Sequence, residues 1–191
     1  NASQLIEKGR ENILLQSNQF DTTWANINST ETSGQSGYDG SNNAWKIDVT
    51  TATNSGLFQA VSASGVYTYS IYAKAGNINF LGFTSFAGTS YDIFFNLSNG
   101  TIASQTGLID ATITSAGNGF YRCTLTSINP VYFQIKPSSQ AANPSLSAGY
   151  IYIQDAQVEQ GLVATPYIET GATSAQAGIL ENTPRFDYSG G

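Results

Sequence analysis

The chain has 191 residues, 40% of them hydrophobic, which suits a single β-sandwich domain with a normal buried core. Seven basic against 13 acidic residues give a net charge of −6 with no Lys/Arg cluster, which argues against a nucleic-acid partner. With no His and no Met, His-based catalytic triads, His–metal clusters and Cys–His pairs are excluded, and no apolar run approaches the ~20 residues of a membrane span.

Only 10% of the residues are charged, so the polar surface must come from Ser, Thr, Asn and Gln. Such a surface fits a virion or extracellular setting. Cys123 stands alone, so no intrachain disulfide forms, and it reads as a small buried hydrophobe.

In chain order, residues 1–11 read as a lead-in segment and 12–16 (NILLQ) as a short apolar strand. Residues 17–43 read as loop, carrying Phe20 and Trp24 where they can plug one end of a core. Residues 44–50 (AWKIDVT) alternate, with Trp45, Ile47 and Val49 on one face. In 65–74 (GVYTYSIYAK), Tyr67, Tyr69, Ile71 and Ala73 face one side, and Thr68, Ser70, Tyr72 and Lys74 the other. Strands follow over 79–86 and 91–97, joined by a hairpin turn at 87–90, and Asn99-Gly100 is a strong turn dipeptide. Residues 101–104 and 112–114 are weaker strands. Residues 119–127 (GFYRCTLTS) set Tyr121, Cys123 and Leu125 opposite Arg122, Thr124 and Thr126, and 132–136 and 150–159 complete the set.

About eight to ten evenly spaced strands with no amphipathic helical stretch predict an all-β, antiparallel β-sandwich or jelly roll. The module is expected over 12–170, with 171–191 as a linker or tail to a neighbouring unit.

Four segments carry a resemblance: LIEKGRENILLQSNQF with the following TTW, YTYSIYAK, GFYRCT and IYIQDAQVEQGLVATPYIET. In this order and spacing they resemble carbohydrate-binding-type jelly-roll modules of bacteriophage tail and fibre proteins. Those are similar to the galactose-binding-like modules of polysaccharide-degrading enzymes. PRFDY at 184–188 resembles a motif that precedes a LIEKGREN-like segment in such proteins, which implies one unit of a longer or repeated virion protein. The resemblance implies a module that binds a polysaccharide or cell-surface glycan, or else a structural or decoration domain that binds only its neighbours in the particle. It also implies one structural calcium ion near the first and last strands, where Asn12 (or Glu11), residues 40–46 and Asp155 stand in the comparable places. Asp155 is independently odd in an apolar strand, since a buried carboxylate needs a partner.

For catalysis, the 13 acids are scattered and none sits in a recognisable motif. Asp155 and Glu159, at a simple period of two, share a face roughly 13 Å apart, too far for a retaining glycosidase pair. Asp92 and Asp110 remain without a partner motif, and the chain is read as no enzyme.

For glycan binding, sugars offer C–H faces to aromatic rings and hydroxyls to polar partners. Two placements stay open. One is a sheet face bearing Tyr72, Lys74, Arg122, Tyr132 and Gln134, with Lys136 beside them, provided their strands share a sheet. The other is a loop site around Tyr38 in GQSGYDG; Trp24 and Trp45 read as core.

Overall fold

A computed structural model of the chain describes residues 9–52, 54–86, 90–107, 109–141 and 147–178. Its strands are β1 (Arg10–Asn12), β2 (Ala25–Ile27), β3 (Ser29–Gln35), β4 (Ala44–Val49), β5 (Gly56–Ala60), β6 (Val66–Ala75) and β7 (Phe80–Phe86), then β8 (Ser90–Asn96), β9 (Thr101–Thr106), β10 (Asp110–Gly117), β11 (Phe120–Ile128), β12 (Tyr132–Ser138), β13 (Gly149–Gln160) and β14 (Ala175–Ala177).

Twelve strands form two six-stranded sheets, the first in the order β10-β11-β6-β13-β4-β3 and the second in the order β2-β5-β12-β7-β8-β9. Every pairing is antiparallel. The chain changes sheet at β2→β3, β4→β5, β5→β6, β6→β7, β9→β10, β11→β12 and β12→β13. The central quartets β4-β13-β6-β11 and β5-β12-β7-β8 therefore interleave early and late strands, which is jelly-roll topology. Separately, β1 pairs with β14, setting Arg10 against Ala177.

The core lies between the sheets. Alternation turns Tyr69, Ile71 and Ala73 of β6, Cys123 and Leu125 of β11, and Phe133 and Ile135 of β12 inward, all 0% exposed. Phe83 meets the Phe133 ring edge-on at 4.9 Å, and Tyr69 lies 5.0 Å from Phe133. Each such buried side chain contributes roughly 1.5–3 kcal/mol of transfer free energy. At one end Phe20 packs against Trp24 (5.1 Å) and Trp45 (6.0 Å), plugging the core as expected. The indoles donate to the Gln16 and Asn18 carbonyls, at 3.2 and 3.1 Å, so neither N–H is stranded.

Local structure departs from the sequence reading in the first third of the chain. Residues 17–43, expected as loop, contain β2 and β3, and 12–16 contributes only Asn12 to a strand. The apolar character of 12–16 comes instead from Leu14, which is buried outside any strand. The Asn99-Gly100 turn is present, with Gly100 at φ +71°. The turn expected at 87–90 lies largely outside the described residues, although β7 and β8 flank it in antiparallel register. Residues 1–8 of the lead-in and the PRFDY motif also lie outside them.

Candidate functional site

The two sheets differ on their outer faces. On the first sheet the segment 161–170 returns across β13, β6 and β11, and polar side chains fasten it. Thr68 donates to the Gly161 carbonyl at 2.8 Å. The Thr165 N–H and hydroxyl donate to the Glu159 carboxylate at 2.7 and 2.6 Å. The Gln157 amide accepts from Ile168 N–H at 2.7 Å and donates to Glu159 at 2.6 Å. Arg122 Nη2 donates to Ser70 Oγ at 3.2 Å and also to the Thr165 carbonyl. Thr68, Ser70, Thr126, Gln157 and Glu159 are therefore buried although they face away from the core, and each has the hydrogen-bond partner that burial requires.

Beside this strap the β3–β4 loop folds onto the same face. The Tyr38 ring lies flat on Tyr72, with centroids 3.7 Å apart and planes 8° apart. Its hydroxyl donates to Asp155 Oδ2 at 3.0 Å and its N–H to Gln154 Oε1 at 3.3 Å. Asn118 Nδ2 donates to the Gly37 and Tyr38 carbonyls, both at 3.1 Å. A Cβ at Gly37 would collide with the Gln154 side chain, so glycine permits this close approach. Arg122 Cζ stands 5.5 Å from the Tyr72 ring centre, and Lys74 Nζ 5.6 Å from that of Phe120. Asp155 sits at a β-bulge with φ +55°, and its N–H donates to Asn18. Burial pushes its carboxyl up to about 6, the charges of Asp39 and Glu169 add to that, and the Tyr38 hydrogen bond opposes it. The Tyr38 phenol is likewise raised, by burial and then by the Asp155 charge.

Tyr38, Tyr72, Lys74 and Arg122 are thus brought into one cluster, joining what the sequence left as two separate placements. Tyr132 and Gln134 are not part of it. Their strand β12 lies in the second sheet, so the single aromatic surface expected across β6, β11 and β12 does not form. The supposed metal residues also divide. Asn12 is fully buried and its Oδ1 accepts from Leu14 and Val158 N–H, at 3.2 and 3.0 Å, while its Nδ2 donates to the Ala156 and Ile168 carbonyls. An oxygen that already accepts two amide protons does not fit a cation ligand, so Asn12 ties backbone instead. Among the described residues no three acidic or Cys side chains converge on a metal position. The bulge at Asp155 also breaks the simple period that related it to Glu159.

On the outer face of the second sheet Thr84, Gln134, Lys136 and Phe94 are buried among their neighbours, while Phe58, Asp92 and Tyr132 are half-buried. Cross-strand register sets Phe58 of β5, Gln134 of β12, Thr84 of β7 and Asp92 of β8 in one row. The adjoining row holds Lys136, Gly82 and Phe94. Of these, Phe58, Gln134, Thr84, Asp92 and Lys136 line, with Tyr132, Asn54 and Ile27, an open depression of about 420 Å³. Beside the depression a Cβ at Gly82 would stand 2.8 Å from the Phe94 ring, so glycine lets that ring lie across β7. Lys136 lies over Phe94, its Nζ 5.8 Å from the ring centre, and donates to Asp92 Oδ1 at 3.1 Å. The Thr84 hydroxyl donates to the same oxygen. Gln134 Nε2 donates to the Asn54 carbonyl at 3.4 Å. Phe58 and Tyr132 meet edge-on at 6.5 Å on one wall. Burial, and then the Asp92 charge, raise the Tyr132 phenol.

Of the residues singled out from sequence, Tyr132 and Gln134 line this groove, and Asp92 stands in it opposite Lys136. Asp110 is exposed at the start of β10. Phe58 and Thr84 were missed. The signal for Phe58 was the short stretch GLFQA, in which Leu57 packs in the core and Phe58 takes the opposite face.

No protein-family model matches the chain, and no curated protein matches it by sequence. Among solved structures it is similar to the CBM22-1–GH10 modules of Clostridium thermocellum endo-1,4-β-D-xylanase 10B complexed with xylohexaose (11% identity over 81% of this chain and 29% of that chain, TM-score 0.45). It is also similar to the enzymatically active domain of tailspike protein 4 of bacteriophage CBA120 (16%, 80% and 21%, TM-score 0.45), and to an exo-β-agarase (13%, 82% and 25%, TM-score 0.47). The chain spans less than a third of each of those structures. Its class is defined by its own strand order, that of an antiparallel jelly-roll β-sandwich.

Proposed function

We propose that this chain is a non-catalytic carbohydrate-binding module that holds a glycan in the groove on the outer face of the second sheet. The observation that carries the reading is the asymmetry between the faces. The first sheet spends Tyr38, Tyr72 and Arg122 on its own strap and loop. The second leaves two aromatic rings, an amide and an ion pair around an open depression. Rings supply C–H stacking surface and the polar side chains supply hydroxyl partners, the usual division of labour in a saccharide site. Among the described residues Asp92 is the one carboxylate that lines the groove, and it is engaged by Lys136 and Thr84. Glycoside hydrolysis needs two carboxylates, so binding without chemistry is the reading this geometry supports. A polar, sparsely charged surface fits a virion or extracellular setting, where several copies on one particle raise a modest affinity per site.

The test is a glycan array on the purified chain, followed by the same measurement on Phe58→Ala and Tyr132→Ala. Saturable binding by the parent, lost roughly tenfold or more in each variant at unchanged circular dichroism, is the expected result. Silence from the folded parent across plant, algal and bacterial polysaccharides would leave the structural or decoration domain of a particle as the better reading.

A further inference from the structure

The charges in the groove limit which glycans it admits. Among the described residues two charged side chains line it, Lys136 and Asp92, and they are unequally placed. The Lys136 side chain is only 6% exposed, whereas Asp92 is 38% exposed. The ammonium lies at the bottom against the Phe94 ring, with Asp92 Oδ1 at 3.1 Å, so its charge is matched before any ligand arrives. The surviving feature at the mouth is a carboxylate. That group accepts hydrogen bonds from sugar hydroxyls and repels a second anion. The other polar groups at the groove, the Gln134 amide, Asn54, the Thr84 hydroxyl and the Tyr132 phenol, are uncharged. The chain as a whole carries −6, which adds a long-range penalty for anionic polymers.

From this we infer that the groove selects an uncharged, hydroxyl-rich glycan and rejects polymers bearing carboxylate or sulfate, with the exposed Asp92 carboxylate as the selecting group and Lys136 as its internal counter-charge. The inference rests on the glycan-binding reading above. A hydroxyl donating to Asp92 needs no counter-ion released and no buried charge uncovered. A ligand carboxylate at the same position would have to displace Asp92 from Lys136, leaving one of the two acids unmatched.

Affinity electrophoresis and titration calorimetry against paired polymers test this. Neutral xylan, agarose and mixed-linkage β-glucan are set against polygalacturonate, alginate and a sulfated galactan, each at about 20 and about 300 mM NaCl, either side of strong screening. The expected result is binding confined to neutral polymers, with an affinity that changes by less than about twofold between the two salts. Asp92→Asn supplies the second arm. Removing the carboxylate unmasks Lys136, so the variant should lose roughly tenfold on the neutral ligand and gain salt-sensitive binding to a carboxylated one. Should Asp92→Asn fail to fold, the wild-type salt and polymer comparison decides alone. Wild-type binding to an anionic polymer that weakens steeply with salt would overturn the inference while leaving a glycan-binding groove in place. Neutral binding that survives Phe58→Ala and Tyr132→Ala, or no binding to any polymer, would overturn the groove reading itself and the inference with it.

Discussion

Asp155 shows what one residue can do to pH dependence. Its carboxyl, raised to about 6 in the folded chain, titrates near 3.9 when unfolded. The native state therefore holds this proton more tightly than the unfolded state does. Its contribution to stability is full below about pH 4, declines as pH rises toward 6, and is gone above that. Melting temperature should fall by a few degrees between those limits. Asp155→Asn, which keeps an acceptor for the Tyr38 hydroxyl, should flatten that slope; an unchanged slope in the variant would assign it to other groups. Asn12 gives a second residue-scale outcome. Asn12→Asp removes the two amide donations to Ala156 and Ile168 and buries a charge, so stability should drop by about 3 kcal/mol. Added calcium should not restore it; recovery of the melting temperature by calcium would show a metal position after all. Single residues were only partly legible in the sequence. Trp45 was read correctly as core from its alternation with Ile47 and Val49, and Trp24 from its place in the segment that carries the family resemblance. The partner of Tyr38 could not be read, because it lies 34 positions away on β6 and only the folded loop brings the two rings together.

At the level of elements, the strap 161–170 is the feature that periodicity hides. β13 is buried along most of its length, one face by the core and the other by the strap and the β3–β4 loop. A strand covered on both sides loses the clean alternation that marks a half-exposed one. Arg122 is the main bolt from the sheet to the strap, and its Nε has no hydrogen-bond partner among the described residues. Arg122→Ala should speed hydrogen exchange across 161–170 and cost about 1–2 kcal/mol, while leaving affinity at the groove on the far sheet unchanged. A loss of glycan binding without added exchange in the strap would move the site to the first sheet. β6 and β11 were found from alternation, and β7, β8 and β13 as strand-like runs without it, each to within a few residues. β2, β3 and β5 were not. STETSGQ is almost wholly polar because β3 is an edge strand with a mostly exposed outer side, and three-residue or five-residue strands give periodicity too little length to register.

For the whole molecule, the fold class was legible and the assignment of strands to sheets was not. Even spacing and the absence of helical periodicity predict a sandwich. Which sheet receives β12 depends on long-range interleaving, with β13 slotting between β4 and β6, and no local pattern encodes that. The single misplaced strand is why Tyr132 and Gln134 were grouped with Tyr72 and Arg122 when the sandwich in fact sets them back to back.

The pairing of β1 with β14 sets Arg10 beside Ala177, so the polypeptide arrives at the sandwich and departs from it at neighbouring points. A pull applied along the flanking chain opens that short ribbon rung by rung, as a zip opens, rather than shearing the sheets. Only when that ribbon is open does the load reach Asn12 and, through its bonds to Ala156 and Val158, the sandwich.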